Sequence, residues 1–365
     1  MTNSYYPLRS LEQGNWLKLI CGASFQHLPS VRNLTLAYAL SGVDCIDVSA
    51  DEAVIAAAKA ALKVASSLKS AAQNRGYGIK HLPWLMVSLN AGEDPHFRKA
   101  TFNPLACPPE CPRPCEPICP AQAIVFERSE DDFSGVLEPN CYGCGRCLPI
   151  CPSQLIRTHS YVVQKDAIAP LVLSQGVDAV EIHTQVGQYS EFANLWSSVK
   201  PWVSKLKLVA ISYPDGEGLI DSLWSLYELI SPLESALIWQ TDGRPMSGDI
   251  GDGTTIAAVK LAQKVLAANL PGYVQLAGGT NSYTVPKLQK LGMLGSNLKG
   301  GRIAGVAYGS YARVLLSPIL ERLEQLQINK TNEVPTAGLE QEPQLLWEAV
   351  NMAQTLVSQL KPIAC

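Results

Sequence analysis

The sequence has little charge. Asp, Glu, Lys and Arg make up 17% of its 365 residues while hydrophobic residues reach 47%; an average globular chain is about 25% charged. Such a balance calls for a large buried core, with strands covered on both faces. A basic excess is missing too. Lys and Arg number 29 against 32 Asp and Glu, a formal net charge of −3, and without a basic stripe nucleic acid is a poor partner. No apolar run approaches the roughly 18 to 20 residues of a membrane span. The N-terminus, MTNSYYPLRSLEQGN, lacks the basic-then-apolar order of a secretory signal. The expectation is a cytoplasmic protein with no transmembrane segment.

What the sequence does contain is an alternation. Eight apolar runs read as strands: 17–24, 45–50, 84–90, 179–184, 207–214, 235–242, 273–279 and 302–310. Amphipathic segments separate them, near 31–41, 51–72, 166–175, 190–199, 216–230, 254–268, 281–290 and 311–326. The clearest is DEAVIAAAKAALKVASSLKSAA, with acids at its start, where the helix dipole favours them. Strands alternating with helices imply a parallel sheet. Eight repeats fit a closed (β/α)₈ TIM-like barrel better than an open doubly wound sheet.

One connection breaks the pattern. Between the third and fourth strands lie residues 91–165, far more than an ordinary βα loop. Eight of the eleven cysteines fall there. The first group is CPPECPRPCEPICP, with Cys107, Cys111, Cys115 and Cys119 spaced C-x3-C-x3-C-x3-C-P. The second is CYGCGRCLPICP, with Cys141, Cys144, Cys147 and Cys151 spaced C-x2-C-x2-C-x3-C-P. The second spacing is that of bacterial ferredoxins, in which three close thiolates wrap one side of an iron–sulfur cluster and the fourth cysteine of the run serves the other cluster. Two zinc sites could also use eight thiolates, but zinc knuckles are built on paired C-x2-C units rather than triplets. Disulfides call for an oxidising compartment.

Residues 105–160 thus resemble a two-cluster ferredoxin module, an α+β domain inserted at the third βα loop, on the face where barrels carry active sites. The resemblance implies one [4Fe–4S] cluster on Cys107, Cys111, Cys115 and Cys151 and another on Cys141, Cys144, Cys147 and Cys119. The first run departs from the ferredoxin pattern by one residue at each of its first two steps. AQAIVFE and SQLIRTH, which follow the runs, suit the strand pairs of such a module. Arg113, Arg128 and Arg146 stand near the cysteines and add positive charge. Cys21 and Cys45 lie in apolar runs and read as core; Cys365 is terminal.

Alternate strand residues face a barrel's lumen. At the strand ends these are polar: Asp47 and Ser49, Ser88 and Asn90, Glu181 and His183, Gln240 and Asp242, and Gln275. Glu181, His183 and Asp242 are candidates for proton transfer. Gly278 and Gly279 after the seventh strand, with Gly309, Ser310 and Arg313 after the eighth, have the layout of the phosphate site of flavin-binding barrels, so FMN or another phosphate-bearing ligand is a candidate. Ordinary tight turns would carry the same glycines. The sixth loop, 241–255, is glycine-rich and suits a lid or a contact to the clusters. No luminal lysine is evident at a strand end, which speaks against Schiff-base chemistry. The expected organisation is barrel over 1–90 and 166–326, insert over 91–165, and a linker with a docking helix over 327–365.

The chain as a whole resembles the light-dependent period (LdpA) family of the cyanobacterial clock input. The likeness rests on WLKLICGASFQHLPSVRNLTLAYALSGVDCIDVSADE and on both cysteine runs. It implies an iron–sulfur redox sensor that couples photosynthetic electron flow to the circadian clock, with the clock protein KaiA and the kinase CikA as partners and the quinone pool or another donor as electron source. The competing expectation is an iron–sulfur oxidoreductase that passes electrons to FMN or a small ligand at the barrel mouth.

Overall fold

The computed structural model describes residues 6–128, 131–160, 169–170, 172–244, 248–294, 301–331 and 338–361. Parts of the expected helix at 166–175, of the sixth loop and of the tail linker, and Cys365, lie outside them.

In chain order the strands are β1 (Trp16–Ile20), β2 (Cys45–Ser49), β3 (Trp84–Asn90), β4 (Arg98–Thr101), β5 (Ile124–Val125), β6 (Gly135–Val136), β7 (Arg157–Ser160), β8 (Ala179–His183), β9 (Leu208–Pro214), β10 (Ala236–Asp242), β11 (Tyr273–Ala277) and β12 (Ile303–Tyr308). Eight of them close a parallel barrel in the order β1-β12-β11-β10-β9-β8-β3-β2. β3 pairs directly with β8, Met86 opposite Ala179 and Asn90 opposite His183. Everything between them is therefore an excursion from the barrel. Within it β4 pairs antiparallel with β7 and β5 with β6. AQAIVFE supplies β5 and SQLIRTH most of β7, but the partner of β7 lies upstream of the first cysteine.

Helices cover the barrel. Asp51 caps the helix Glu52–Asn74, its carboxylate accepting from Ala53 N at 2.9 Å and Val54 N at 3.0 Å, the role Asp fills best at a helix start. The lower lumen is apolar. Trp16, Trp84, Met86, Leu208 and Ile238 fill it, and Leu11 closes it from the N-terminal helix Tyr6–Gln13. That helix has no counterpart among the expected segments. The first strand ends at Ile20, earlier than expected, because Gly22 takes a φ of 135° and turns the chain. No described helix is long and apolar enough to cross a membrane.

The tail helix Pro343–Leu360 packs against the helix Leu28–Ser41. Trp347 stacks on Tyr77 with ring centroids 5.7 Å apart. At its end Lys361 Nζ reaches the buried Asp44 Oδ1 at 2.5 Å. Asp44 also accepts from Ser10 Oγ and Leu17 N, each at 2.8 Å, so one carboxylate ties the tail, the N-terminal helix and β1 together.

Candidate metal centres and barrel mouth

The cysteines converge as two sets. One cavity is walled by Cys107, Cys111, Cys115 and Cys151, with Phe102, Phe126 and Ile156. The other is walled by Cys119, Cys141, Cys144 and Cys147, with Ala121, Ile124 and Tyr142. Each set takes three residues from one run and the fourth from the other. The wider spacing of the first run does not keep its thiols apart: Pro108, Pro114 and Pro117 shape the loop, and Arg113 adopts a φ of 50° to turn it. Backbone N–H groups point at sulfurs, Ala100 N at 3.4 Å from Cys141 Sγ and Ala123 N at 3.2 Å from Cys119 Sγ. None of the ten described cysteines is in a disulfide. Converging free thiols, apolar walls and amides aimed at sulfur are what a sulfur-ligated cluster requires, so the residues present fit the group. Cys21 and Cys45 are buried away from both sets; burial pushes the Cys21 thiol up to about 12, that of an inert core residue.

The three arginines do different things. Arg113 pairs with Glu127 at 3.2 Å and Arg128 with Asp131. Arg146 donates to Gly248 O at 3.2 Å, and Gly248 lies so close to Cys144 that a Cβ there would meet the cysteine Cβ at 2.7 Å. The sixth barrel loop thus touches the second cysteine set.

Below the insert lies the barrel mouth. Asp47, Ser49, Ser88, Asn90, Glu181, His183, Gln240, Asp242 and Gln275 are all buried there. All but Ser49 and Asn90, which bond Phe25 O and Gly92 N, join a polar network. Trp16 Nε1 donates to Gln275 Oε1 at 2.6 Å, Gln275 Nε2 to Gln240 Oε1 at 2.6 Å, and Gln240 Nε2 to Glu181 Oε1 at 2.9 Å. Ser88 Oγ bonds Asp47 at 2.8 Å, and Ser212 Oγ donates to Asp242.

The lumen does hold a lysine. Lys18 is fully buried in β1, donates to Glu181 and lies 3.8 Å from Asp47 Oδ2. The WLKLI pattern places it on the same face as Trp16, but a strand starting at Leu17 hides that alternation. Burial pulls the Lys18 pKa down; Glu181 and Asp47 outweigh it and the net shift is upward. The expectation that the lumen lacks a lysine is thereby corrected; Lys18 is ion-paired with Glu181 inside the network. Burial raises the carboxyl of Asp47 to about 7 despite Lys18. In Glu181 burial also pushes upward, but Lys18 and His183 prevail and the carboxyl stays below its usual range.

Two further residues were not among the candidates. Asp94 and His96 follow β3 and fold back over the mouth: His96 Nδ1 lies 2.7 Å from Asp94 Oδ1, and His183 Nδ1 3.3 Å from Asp94 Oδ2. His183 Nε2 lies 3.0 Å from Glu181 Oε1. Burial lowers the His183 pKa, yet Asp94 and Glu181 carry it well above the ordinary value. Burial raises Asp242.

The residues proposed for phosphate line one cavity of about 50 Å³, namely Gly278, Gly279, Gly309, Ser310 and Arg313, together with His183 and Asp242. Gly278 and Gly279 have φ of 62° and 88°, with the sixth loop packed so close that a Cβ at either would lie within 3 Å of Arg244. Arg313 is engaged: Nη1 donates to Ile20 O at 3.0 Å and Cys21 O at 2.9 Å, and Nη2 to Ser310 Oγ at 2.8 Å. Its guanidinium lies 4.3 Å over the Tyr142 ring. Tyr142 lines both this cavity and that of the second cysteine set.

Two family models and one curated relative match the chain. Residues 107–162 match the model of the LdpA Fe-S cluster-binding domain, and residues 171–359 that of the light dependent period A C-terminal domain. The chain is 49% identical over 356 residues to light dependent period A of Synechococcus elongatus, covering 98% of this chain and 94% of that protein. Among solved structures, the GGGPS of Thermoplasma volcanium aligns at 8% identity with a TM-score of 0.43 over 100% of both chains. The N-acetylneuraminate lyase of Fusobacterium nucleatum aligns at 8% identity and 0.35 over 94% and 82%. With its cysteine-rich insert and its C-terminal part each matched, and a relative 49% identical across 98% of its length, the chain belongs to the light dependent period A family.

Proposed function

We propose that this iron–sulfur protein holds two [4Fe–4S] clusters and reports cellular redox state, set by photosynthetic electron flow, to the circadian clock. The observation that carries the reading is the pair of cavities, each walled by four cysteines drawn three from one run and one from the other. When bound, such clusters supply one-electron transfer. The chain's own part is to shield and tune. Ala100 and Ala123 point amides at sulfur, and Tyr142, Gly248 and Arg146 couple the second cysteine set to the barrel. A change at Cys144 thereby bears on the sixth loop and on Arg313. The partners in this reading are KaiA and CikA, with the quinone pool or another electron donor upstream, and the site of action is the cytoplasm. Binding of the purified protein to KaiA and to CikA, measured once reduced with dithionite and once air-oxidised, tests it. Affinity for at least one should differ several-fold between the two states. Equal affinity for both partners in both states contradicts a sensor.

A second reading has its own support. Tyr142 forms a wall common to the second cysteine cavity and the barrel-mouth cavity, so a ligand in the mouth would sit one side chain from the cysteine set. In this reading the protein is an oxidoreductase, with Glu181, His183 and Asp242 handling protons. A cavity of about 50 Å³ suits a small phosphate or carboxylate better than FMN. Acid extraction followed by flavin fluorescence decides on FMN: stoichiometric release favours the flavin enzyme, and none removes it.

A further inference from the structure

Asp94 and His96 lie just beyond the end of β3, and His183 is the last residue of β8, the strand paired with it. The turn is rigid at the carboxylate, where Asp94 Oδ1 accepts from His96 N at 2.6 Å. One donor atom from each of the three residues falls within 4.8 Å of the others. Ligand atoms around a first-row metal ion lie roughly 2.0–2.2 Å from it, hence about 3 Å or slightly more from one another. The 3.3 Å between His183 Nδ1 and Asp94 Oδ2 has that spacing. His183 is 4% exposed and its Nδ1 makes no hydrogen bond. A buried ring nitrogen that faces a carboxylate at this spacing, without a hydrogen bond of good geometry, is placed to share a cation with it.

The outer partner is also present. A histidine that binds metal through one nitrogen usually gives its other N–H to a carboxylate. His183 Nε2 faces Glu181 Oε1 at 3.0 Å, and Glu181 is fixed in turn by Lys18 and by Gln240.

We propose that Asp94, His96 and His183 form a mononuclear site for a divalent first-row transition-metal ion at the barrel mouth, separate from both cysteine cavities. Two imidazoles and one carboxylate suit Zn²⁺, Fe²⁺ or Mn²⁺ and leave positions open. His96 and His183 both line the mouth cavity, so those positions face Gln240, Asp242 and the glycines of the last two loops.

The test uses full-length protein purified anaerobically with its iron, washed with chelator and titrated with Zn²⁺, with metal and sulfide contents measured after equilibrium dialysis. One Zn²⁺ per chain should bind while iron and sulfide stay constant, and it should raise the thermal midpoint. His96→Gln, at the least buried ligand, should weaken binding at least 100-fold with iron content unchanged. Glu181→Gln should weaken it about 10- to 100-fold. Absence of zinc uptake by the wild type overturns the proposal and leaves an ion-pair network. So does uptake matched by loss of iron, or full affinity in folded His96→Gln.

Discussion

Asp44 shows how much one buried carboxylate can organise. It accepts from Ser10 and Leu17 and holds Lys361 at the end of the tail helix. Burial pushes its pKa up, but Lys361 and His81 bring the net shift below 3.8. A carboxyl whose folded pKa is depressed stabilises the fold above its unfolded pKa and loses that contribution as the pH falls through the folded value. Lys361→Met should therefore cost about 3 kcal/mol at pH 7, the scale of breaking a buried pair from one side. The deficit should shrink as the pH drops below about 4, where the wild type loses the same contribution. Thermal midpoints of both proteins between pH 3.5 and 8 check this; a deficit independent of pH would assign the effect to packing. Arg313 is the corresponding cation. Arg313→Met removes the donors to Ile20 O and Cys21 O and the charge over Tyr142. We expect a loss of about 2–3 kcal/mol and a more negative potential for the redox centre beside Cys144, read by an optical redox titration. An unchanged potential would place that charge out of electrostatic reach. Legibility at this scale was uneven. The eight cysteines of the insert announce themselves because they stand close together in two runs. Lys18 does not, since a single lysine in an apolar run looks like core until the partners Asp47 and Glu181 are known. Asp94 and His96 stay hidden for a related reason: their neighbour His183 comes from the far side of the insert.

At the scale of elements, the barrel strands were legible because each is a short apolar run set between helices. Their closure was an inference from number, and the β12-to-β1 pairing supplies it, Trp16 opposite Gly305. That contact depends on glycine. A Cβ on Gly305 would lie 2.2 Å from Trp16 O, a backbone atom with nowhere to go. Gly305→Ala should destabilise the barrel by more than about 3 kcal/mol or abolish soluble expression. Gly251→Ala, where a Cβ meets nothing within 4 Å, should be near neutral. Urea midpoints of the two variants separate a steric seam from a general intolerance of the glycines. The N-terminal helix Tyr6–Gln13 escaped detection because two turns carry too little periodicity; its worth comes from tertiary contact, through Leu11 against Trp16 and Trp84.

Across the whole molecule, the insert is seated on the barrel rather than tethered to it. Gln26 N donates to Pro139 O at 3.1 Å, Lys99 Nζ to Gln26 Oε1 at 3.1 Å, and Phe25 meets Tyr142 edge to face at 5.6 Å. The second set of cysteines therefore lies against the face where the last barrel loops meet. The sixth-loop contact was one of two expectations for that loop; the parts of Tyr142 and Arg313 could not be read beforehand, since they are far apart in sequence and individually ordinary. The central claim is that two cysteine sets exchange their fourth members, and metal content tests it directly. Iron and sulfide should each come to about eight per chain in anaerobically purified wild type. Cys144→Ser and Cys111→Ser should each lower both counts to about four. Cys151→Ser should then disturb the centre that Cys111→Ser removes, and leave the one that Cys144→Ser removes, when each is followed by its own electron paramagnetic resonance signal after reduction. A wild type with four irons, zinc in place of iron, or a Cys151→Ser signature that matches Cys144→Ser would contradict the account.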